Sequence, residues 1–417
     1  MKNIIRRVYL PYRIMLAVNL SFLILAFILD TPANIFDGFI KIITSRSILV
    51  TDYIAVGGIG AALINVSMVG FVCVFTFIFS GLAPTGATIM GLWLTAGFAF
   101  FGKNLFNMLP LTFGVWLYAK YRREPFISYS LAALLVATLS PIVSEMSFLG
   151  IFSRPVEFIG GVLLGFAVGF IFPALSAETV KAHAGYSLYN LGFSGGLIAV
   201  IVATFFQSIG IPIVLADLRS EGNNLILAVI LYAISAALFC CGLIGGAKKN
   251  LAGFINIFKH SGRLVTDFYF LYQNSVYINM AVLCAFATTL VLVFGAQFNG
   301  TILAAIFTMT GFGSFGKHLK NILPVLTGAV ISIYANHLDF IHPANIMTIL
   351  FATTLAPIAG QFGWIWGMAA GFLHVNVAMH VNLLNGGLNL YNNGFAAGLV
   401  AMFLLPVINV LRKDKEG

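Results

Sequence analysis

The stretch GFAFFGKNLFNMLPLTFG at residues 97–114 returns as GFGSFGKHLKNILPVLTG at 311–328. Gly97, Phe98, Phe101, Gly102, Lys103, Leu105, Asn107, Leu109, Pro110 and Gly114 recur as Gly311, Phe312, Phe315, Gly316, Lys317, Leu319, Asn321, Leu323, Pro324 and Gly328, ten of 18 positions at an offset of 214. Apolar helices resemble one another by composition, but a shared Gly-Lys-x-x-x-Asn-x-x-Pro order is not compositional. It marks a duplicated unit that retained its glycines, its lysine and its helix breaker.

Working outward, the repeat covers the whole chain. Leu-Val-Thr-Asp-Tyr at 49–53 matches Leu-Val-Thr-Asp-Phe at 264–268, and Gly38-Phe39-Ile40 matches Gly253-Phe254-Ile255. Asn65 matches Asn279, and Thr-Leu-Ser-Pro-Ile at 138–142 matches Thr-Leu-Ala-Pro-Ile at 354–358. LYNLGFSGGL at 188–197 matches LYNNGFAAGL at 390–399. A Gly-x-x-x-Gly pair precedes each, Gly165/Gly169 and Gly367/Gly371. The units are residues 1–213 and 214–417.

Of the 417 residues, 60% are hydrophobic and 8% charged, against about 25% charged in soluble domains. A soluble fold cannot cover so much apolar surface. Long uncharged runs satisfy their own backbone polar groups as helices, which lipid cannot do for them. The runs lack period-two alternation, which excludes a transmembrane barrel. The expected fold is therefore an all-α polytopic membrane protein of two inverted-topology repeats, each with about seven membrane segments. They fall near 13–30, 53–80, 86–101, 105–120, 127–148, 157–176 and 187–210, then 223–246, 269–294, 299–316, 320–336, 344–362, 363–382 and 389–411. A less apolar stretch follows the first segment of each half, at 34–50 and 250–264, and reads as an interfacial amphipathic helix. Segments three and four are short, about 16 residues where a span needs about 20. They either tilt or form a re-entrant hairpin.

An odd number of crossings per half turns the second half upside down. Cytoplasmic N- and C-termini place Lys2, Arg6, Arg7, Arg13, Lys120, Arg122, Arg123, Lys181, Lys248, Lys249, Lys259, Arg263, Arg412, Lys413 and Lys415 inside, and Lys41, Arg46, Arg154 and Arg219 outside. That asymmetry fits the positive-inside rule and a cell inner (cytoplasmic) membrane location. The basic N-terminus has no small-residue cleavage site behind it, so the first helix reads as retained. The net charge of +9 is this topology signal and carries no nucleic-acid module. Four cysteines inside apolar runs match neither a disulfide framework nor a zinc site. No phosphate loop, His-Glu-x-x-His, Cys-x-x-Cys or Gly-x-Ser-x-Gly pattern appears. No enzyme activity, cofactor or metal is expected.

Inverted repeats suit secondary transporters, whose site lies where short, Gly/Pro-interrupted segments of the two halves meet. Gly102 and Gly316 can end a helix left-handed, Lys103 and Lys317 follow, and Pro110 and Pro324 constrain the next helix. A lysine inside the membrane profile needs a partner, an anionic substrate or a carboxylate, unless it snorkels to headgroups. Asn107 and Asn321 lie one turn further on the same face, as ligands or as helix-packing groups. The Tyr-Asn-x-Gly-Phe element supplies Tyr189, Asn190, Tyr391 and Asn392 as further substrate-binding candidates. Its Gly192 and Gly394 are candidate breaks in segment seven, the alternative being a helix N-terminus. Asp52 and Asp267 read as helix caps. Glu145, Glu178, His374 and His380 are candidates for coupling to H+ or Na+.

The paired Phe-Gly-Lys-[Asn/His]-Leu-x-Asn-[Met/Ile]-Leu-Pro and Tyr-Asn-x-Gly-Phe motifs resemble a bacterial domain-of-unknown-function family of polytopic integral membrane proteins with duplicated halves. The resemblance covers most of the chain and implies no substrate. A looser resemblance is to urea channels, also duplicated and also carrying a Tyr-Asn-Gly element; their Asn-Pro-Leu turn is absent here. The expected function is secondary active transport of a small polar or anionic metabolite by alternating access. The alternatives are a passive channel for a small neutral solute and a non-transporting subunit of a membrane complex. The expected partners are the lipid bilayer and a small-molecule substrate. A homo-oligomer is left open.

Overall fold

The computed structural model describes residues 8–264 and 266–413. Lys2, Arg6, Arg7, Lys415 and the repeat's Val265 fall outside the described residues. The first half contains α1 (Leu10–Leu29), α2 (Pro32–Thr44), α3 (Tyr53–Phe79), α4 (Gly86–Phe98), α5 (Leu105–Arg122), α6 (Ser130–Leu135), α7 (Ser140–Ser147), α8 (Arg154–Ala182) and α9 (Asn190–Ser208). The second contains α10 (Asn224–Leu243), α11 (Ala247–Ile257), α12 (Phe268–Tyr272), α13 (Ser275–Val293), α14 (Gly300–Phe312), α15 (Leu319–Ala335), α16 (Pro343–Ala352), α17 (Ala356–Phe362), α18 (Trp364–Asn385) and α19 (Asn392–Lys413). Among the described residues ten helical runs are long and apolar enough to cross a membrane. The chain is an all-α, multi-pass membrane protein built from a duplicated unit.

Each half packs by the same rules. The first helix lies on the long second one, α1 on α3 and α10 on α13, and α5 and α15 lie on α8 and α18. The last pairing explains the Gly-x-x-x-Gly pairs. Gly169 faces Gly114 across the α5–α8 crossing, where a methyl group at Gly169 would overlap the Leu111 carbonyl oxygen. At Gly371 it would overlap the carbonyl of Val325 on α15. Small residues here let helix backbones touch where lipid supplies no hydrophobic drive.

Two breaks were not visible in the pattern. Segment five is one apolar run in each half, yet it folds as α6 and α7 joined through a 3-10 turn at Val136–Leu139, and as α16 and α17 joined through Thr353–Leu355. Segment two bends near its start, at Gly58 (φ 85°) in the first half and at Gln273 (φ 48°) between α12 and α13 in the second. The Gly58 bend could be suspected from the residue type; the Gln273 bend could not.

The halves meet around a two-fold relation. Gly97 of α4 packs on Ala304 and Phe307 of α14, while Gly311 of α14 packs on Met90 and Trp93 of α4. Each partner is the other's repeat counterpart, as in an isologous interface. Gly86, at the start of α4, abuts Ser314 past the end of α14, and Gly300 abuts Phe100 past the end of α4. The two equivalent helices therefore run antiparallel, the relation that inverted repeats require. At 13 residues each they are about 20 Å long.

The Thr-Asp pair ties these ends together. Asp267 accepts the Phe270 N–H at 2.9 Å as cap of α12, and also the Gly86 N–H of the other half at 2.9 and 2.8 Å. Asp52 accepts the Ile54 N–H at 2.9 Å and the Ser220 N–H at 2.8 Å, and lies against Gly300 at the start of α14. Each carboxylate thus serves a helix start in its own half and touches one in the other, where the helix dipole favours negative charge. The segment after α9 is bound along residues 49–52 by Val50 N–H to Ala216 O at 2.8 Å and Asp52 N–H to Leu218 O at 3.1 Å.

Two stability predictions follow from these contacts. Gly169→Ala and Gly371→Ala each overpack a backbone crossing and should lower the thermal unfolding midpoint, by about 1–3 kcal/mol in stability. Gly195→Ala, where an added methyl meets nothing nearer than 3.4 Å, should leave the midpoint unchanged in the same detergent. Asp267→Ala removes the charged acceptor of two helix starts and should cost about 1.5–3 kcal/mol; an unchanged midpoint would show that the cross-repeat cap contributes nothing.

Candidate functional site

The repeated motif builds two matching corners. α4 and α14 end at Phe98 and Phe312, and the chain turns through Gly102 (φ 73°) and Gly316 (φ 103°) before α5 and α15 begin. Left-handed backbone at both sites is the reason for glycine, and the packing of Leu390 on Gly102 and of Leu188 on Gly316 is a second one.

Asn107 and Asn321 hold these corners. Asn107 Nδ2 donates to Gly102 O at 3.0 Å and Ser144 Oγ at 2.9 Å, and its Oδ1 accepts the Asn104 N–H at 2.8 Å. Asn321 repeats this with Gly316 O at 2.9 Å, Ser261 O at 3.2 Å and the His318 N–H at 3.0 Å. Both amides are spent on the turn. Asn65 and Asn279, repeat partners without an assigned role in the sequence reading, complete it. Asn65 Nδ2 donates to Ala99 O at 2.7 Å and Lys103 O at 2.8 Å; Asn279 Nδ2 donates to Gly313 O and Lys317 O, both at 2.7 Å. A polar residue kept at one position of two apolar helices was the available signal for them. Pro110 and Pro324 lie inside continuous helices, in the second turn of α5 and α15.

The Tyr-Asn-x-Gly-Phe elements are helix starts, and the breaks fall just before them, at 183–189 and 386–391. Gly192 and Gly394 are not breaks in a segment. They are the contact where α9 crosses α19, with Gly394 on the Cα of Gly192 and Phe193 stacked on Phe395 at 6.0 Å. Asn190 bonds Ser176 O at 2.9 Å, Thr179 Oγ1 at 3.0 Å and His183 Nε2 at 2.9 Å. Asn392 lies between Asn382 and Asn385. The preceding loops reach into the 3-10 turns of the opposite half: Leu188 N–H donates to Thr354 O at 3.0 Å, and Leu390 N–H to Thr138 O at 2.9 Å.

These loops bring Tyr189 and Tyr391 face to face, ring centroids 4.4 Å apart, among Phe98, Phe312 and Phe351. Both lysines lie beside this group, each fully buried. Their partners differ. Lys317 Nζ donates to Tyr189 Oη and, at 2.7 Å, to Thr353 Oγ1, and stands 4.5 Å from the Tyr189 ring. Lys103 Nζ reaches only Thr95 Oγ1, at 3.5 Å, and stands 5.9 Å from the Phe98 ring. Ala137 occupies the position corresponding to Thr353. Among the described residues the buried Tyr391 hydroxyl, beside Tyr189, has no hydrogen bond of normal length. Among the described residues neither lysine forms an ion pair. A hollow of about 200 Å³ opens beside the tyrosines, lined by Tyr189, Asn190, Tyr391, Met90, Leu94, Leu188 and further apolar side chains of both halves.

The other ionisable candidates lie elsewhere. Glu145 is buried against Arg46, the end of segment five meeting the loop after α2. Glu178 is exposed and paired with Lys181 at 2.7 Å, and His380 is exposed on α18. His374 is buried, its Nε2 3.1 Å from Asn393 Oδ1 and its Nδ1 without a partner among the described residues. Among the described residues no three His, Cys, Asp or Glu side chains form a metal cluster.

No curated protein and no solved structure matches the chain, so the likeness to urea channels finds no support there. Residues 31–208 and 247–410 match one family twice, once in each half. The duplicated membrane unit read from the motifs is the unit that defines that family, and the chain belongs to it: Protein of unknown function (DUF1576).

Proposed function

We propose that this chain is a secondary active transporter that moves a small polar or anionic metabolite by alternating access. The observation that carries this reading is the pair of buried lysines without carboxylates, set at the interface of two antiparallel copies of one unit. Two copies that can exchange conformations expose one shared site to each side in turn. Lysines buried without a carboxylate are costly inside a membrane protein, and a site that receives an anion gives both of them a role. Lys103, Lys317, Tyr189 and Tyr391 form the site. Asn107, Asn321, Asn190 and Asn392 position its backbone. α4 and α14 are read as re-entrant, each ending within the membrane at its Gly-Lys corner. His374 is the coupling candidate nearest the Tyr-Asn element.

The proposed orientation has cytoplasmic termini in the cell inner membrane. Loops assigned to one side by charge meet one another. Arg46 binds Glu145, and Arg219 Nη1 lies 3.1 Å from His342 on the proposed outer side. Arg263 stacks on Tyr186 at 4.5 Å, and Arg412 on Phe362 at 5.4 Å, on the inner side. In a cysteine-free background, Lys249→Cys should react only with a thiol reagent admitted to the cytoplasmic side, and Glu221→Cys only from outside. The reverse pattern would overturn the orientation.

The transport reading is tested in proteoliposomes with solutes chosen by a thermal-shift screen of metabolites. Saturable uptake with counterflow is expected, abolished in Lys103→Ala/Lys317→Ala protein that remains monodisperse. Normal transport by that double variant rules out the site. Fast, non-saturating flux without counterflow would favour the channel reading.

A further inference from the structure

The two half-sites are repeats of one another, yet only one is closed. Lys317 Nζ donates directly to the Tyr189 hydroxyl and to Thr353 Oγ1. In the other half the corresponding lysine and tyrosine are both buried, and no bond joins them. Lys103 has a single contact at the limit of hydrogen bonding, and the Tyr391 hydroxyl has none of normal length among the described residues. The Phe98 ring adjoins both, 5.3 Å from the Tyr391 ring and 5.9 Å from Lys103 Nζ. The sequence contributes to the difference, because Ala137 leaves Lys103 without the hydroxyl that Thr353 gives Lys317.

We propose that Lys103 and Tyr391 together bind the carboxylate of a small, singly charged organic anion, with its apolar body in the hollow that Tyr391 lines. This deepens the transporter reading and rests on it. A carboxylate supplies what both groups lack: negative charge for the ammonium and an acceptor for the phenol hydroxyl. Tyr391 lines the hollow beside Met90, Leu94 and Leu188, so the tail meets apolar side chains. A second charge on the ligand would enter that apolar lining without a free partner, which disfavours dianions. Lys317 is already engaged by two hydroxyl oxygens and is not the docking ammonium in this conformation.

The test uses the purified full-length protein in detergent at fixed ionic strength, with thermal unfolding as readout and sodium butyrate as probe. Butyrate should raise the midpoint in proportion to the logarithm of its concentration once the site fills. Butyramide and succinate should not. Lys103→Gln and Tyr391→Phe should each weaken the butyrate response by about tenfold or more, while Thr353→Val, in the closed half-site, should retain it. The shift with ligand is compared within each variant, so a changed baseline stability does not confuse the result. An undiminished shift in Lys103→Gln, or none in the wild type, overturns the proposal. An equal shift from sodium nitrate would place an inorganic anion there and overturn the carboxylate assignment. Counterflow of some other solute without butyrate binding sinks this inference and leaves the transporter reading standing. Butyrate binding without any flux does the opposite.

Discussion

The structure depends on one self-complementary contact, the antiparallel packing of α4 on α14. Each helix meets its own repeat counterpart, so every favourable contact occurs twice and every clash would occur twice. That constraint explains why Gly97 and Gly311 stay small beneath Phe307 and Trp93. It also explains the position of Asp52 and Asp267. Helix starts buried between two halves need acceptors for their free N–H groups, and lipid offers none. A carboxylate that reaches both its own helix and its neighbour's satisfies two starts with one side chain. The same charge resists separation of the halves at those points, while the Tyr-Asn loops and 3-10 turns are joined across the halves by neutral hydrogen bonds.

Much of this was legible in the sequence, and for a physical reason. Membrane helices must be long, apolar and internally bonded, so the segment boundaries at Leu10–Leu29, Gly86–Phe98 and Leu105–Arg122 lie within a few residues of those expected. Left-handed turns require glycine, so the corners at Gly102 and Gly316 were marked by residue type. The breaks inside segment five were hidden because a 3-10 turn needs no special residue. Thr138 and Thr354 recur within them, but threonine is common in apolar helices and announces nothing. What holds those turns open is a hydrogen bond from the opposite half, and tertiary bonds leave no local trace.

The polar residues show the same division. Amides that serve backbone, such as Asn107 and Asn321, are repeated because both halves need the same turn. From sequence they look like ligands, since a buried amide and a binding amide obey the same rule of full satisfaction. Only geometry separates them: an amide whose donors and acceptor are all committed has nothing left for a substrate. Lys103, with one contact at 3.5 Å, and Tyr391, with none of normal length among the described residues, are as buried as the amides and less committed.

The asymmetry between the half-sites then acquires a physical meaning. A strict two-fold pair would present two equal ammonium groups, each able to close on its own tyrosine, with neither preferred. Thr353 gives Lys317 an acceptor that Ala137 does not give Lys103, and among the described residues the lysine–tyrosine bond is present in the Lys317 half only. On the carrier reading proposed above, the repeat accounts for access from either side, and departures from it, such as Ala137 against Thr353, account for what is bound.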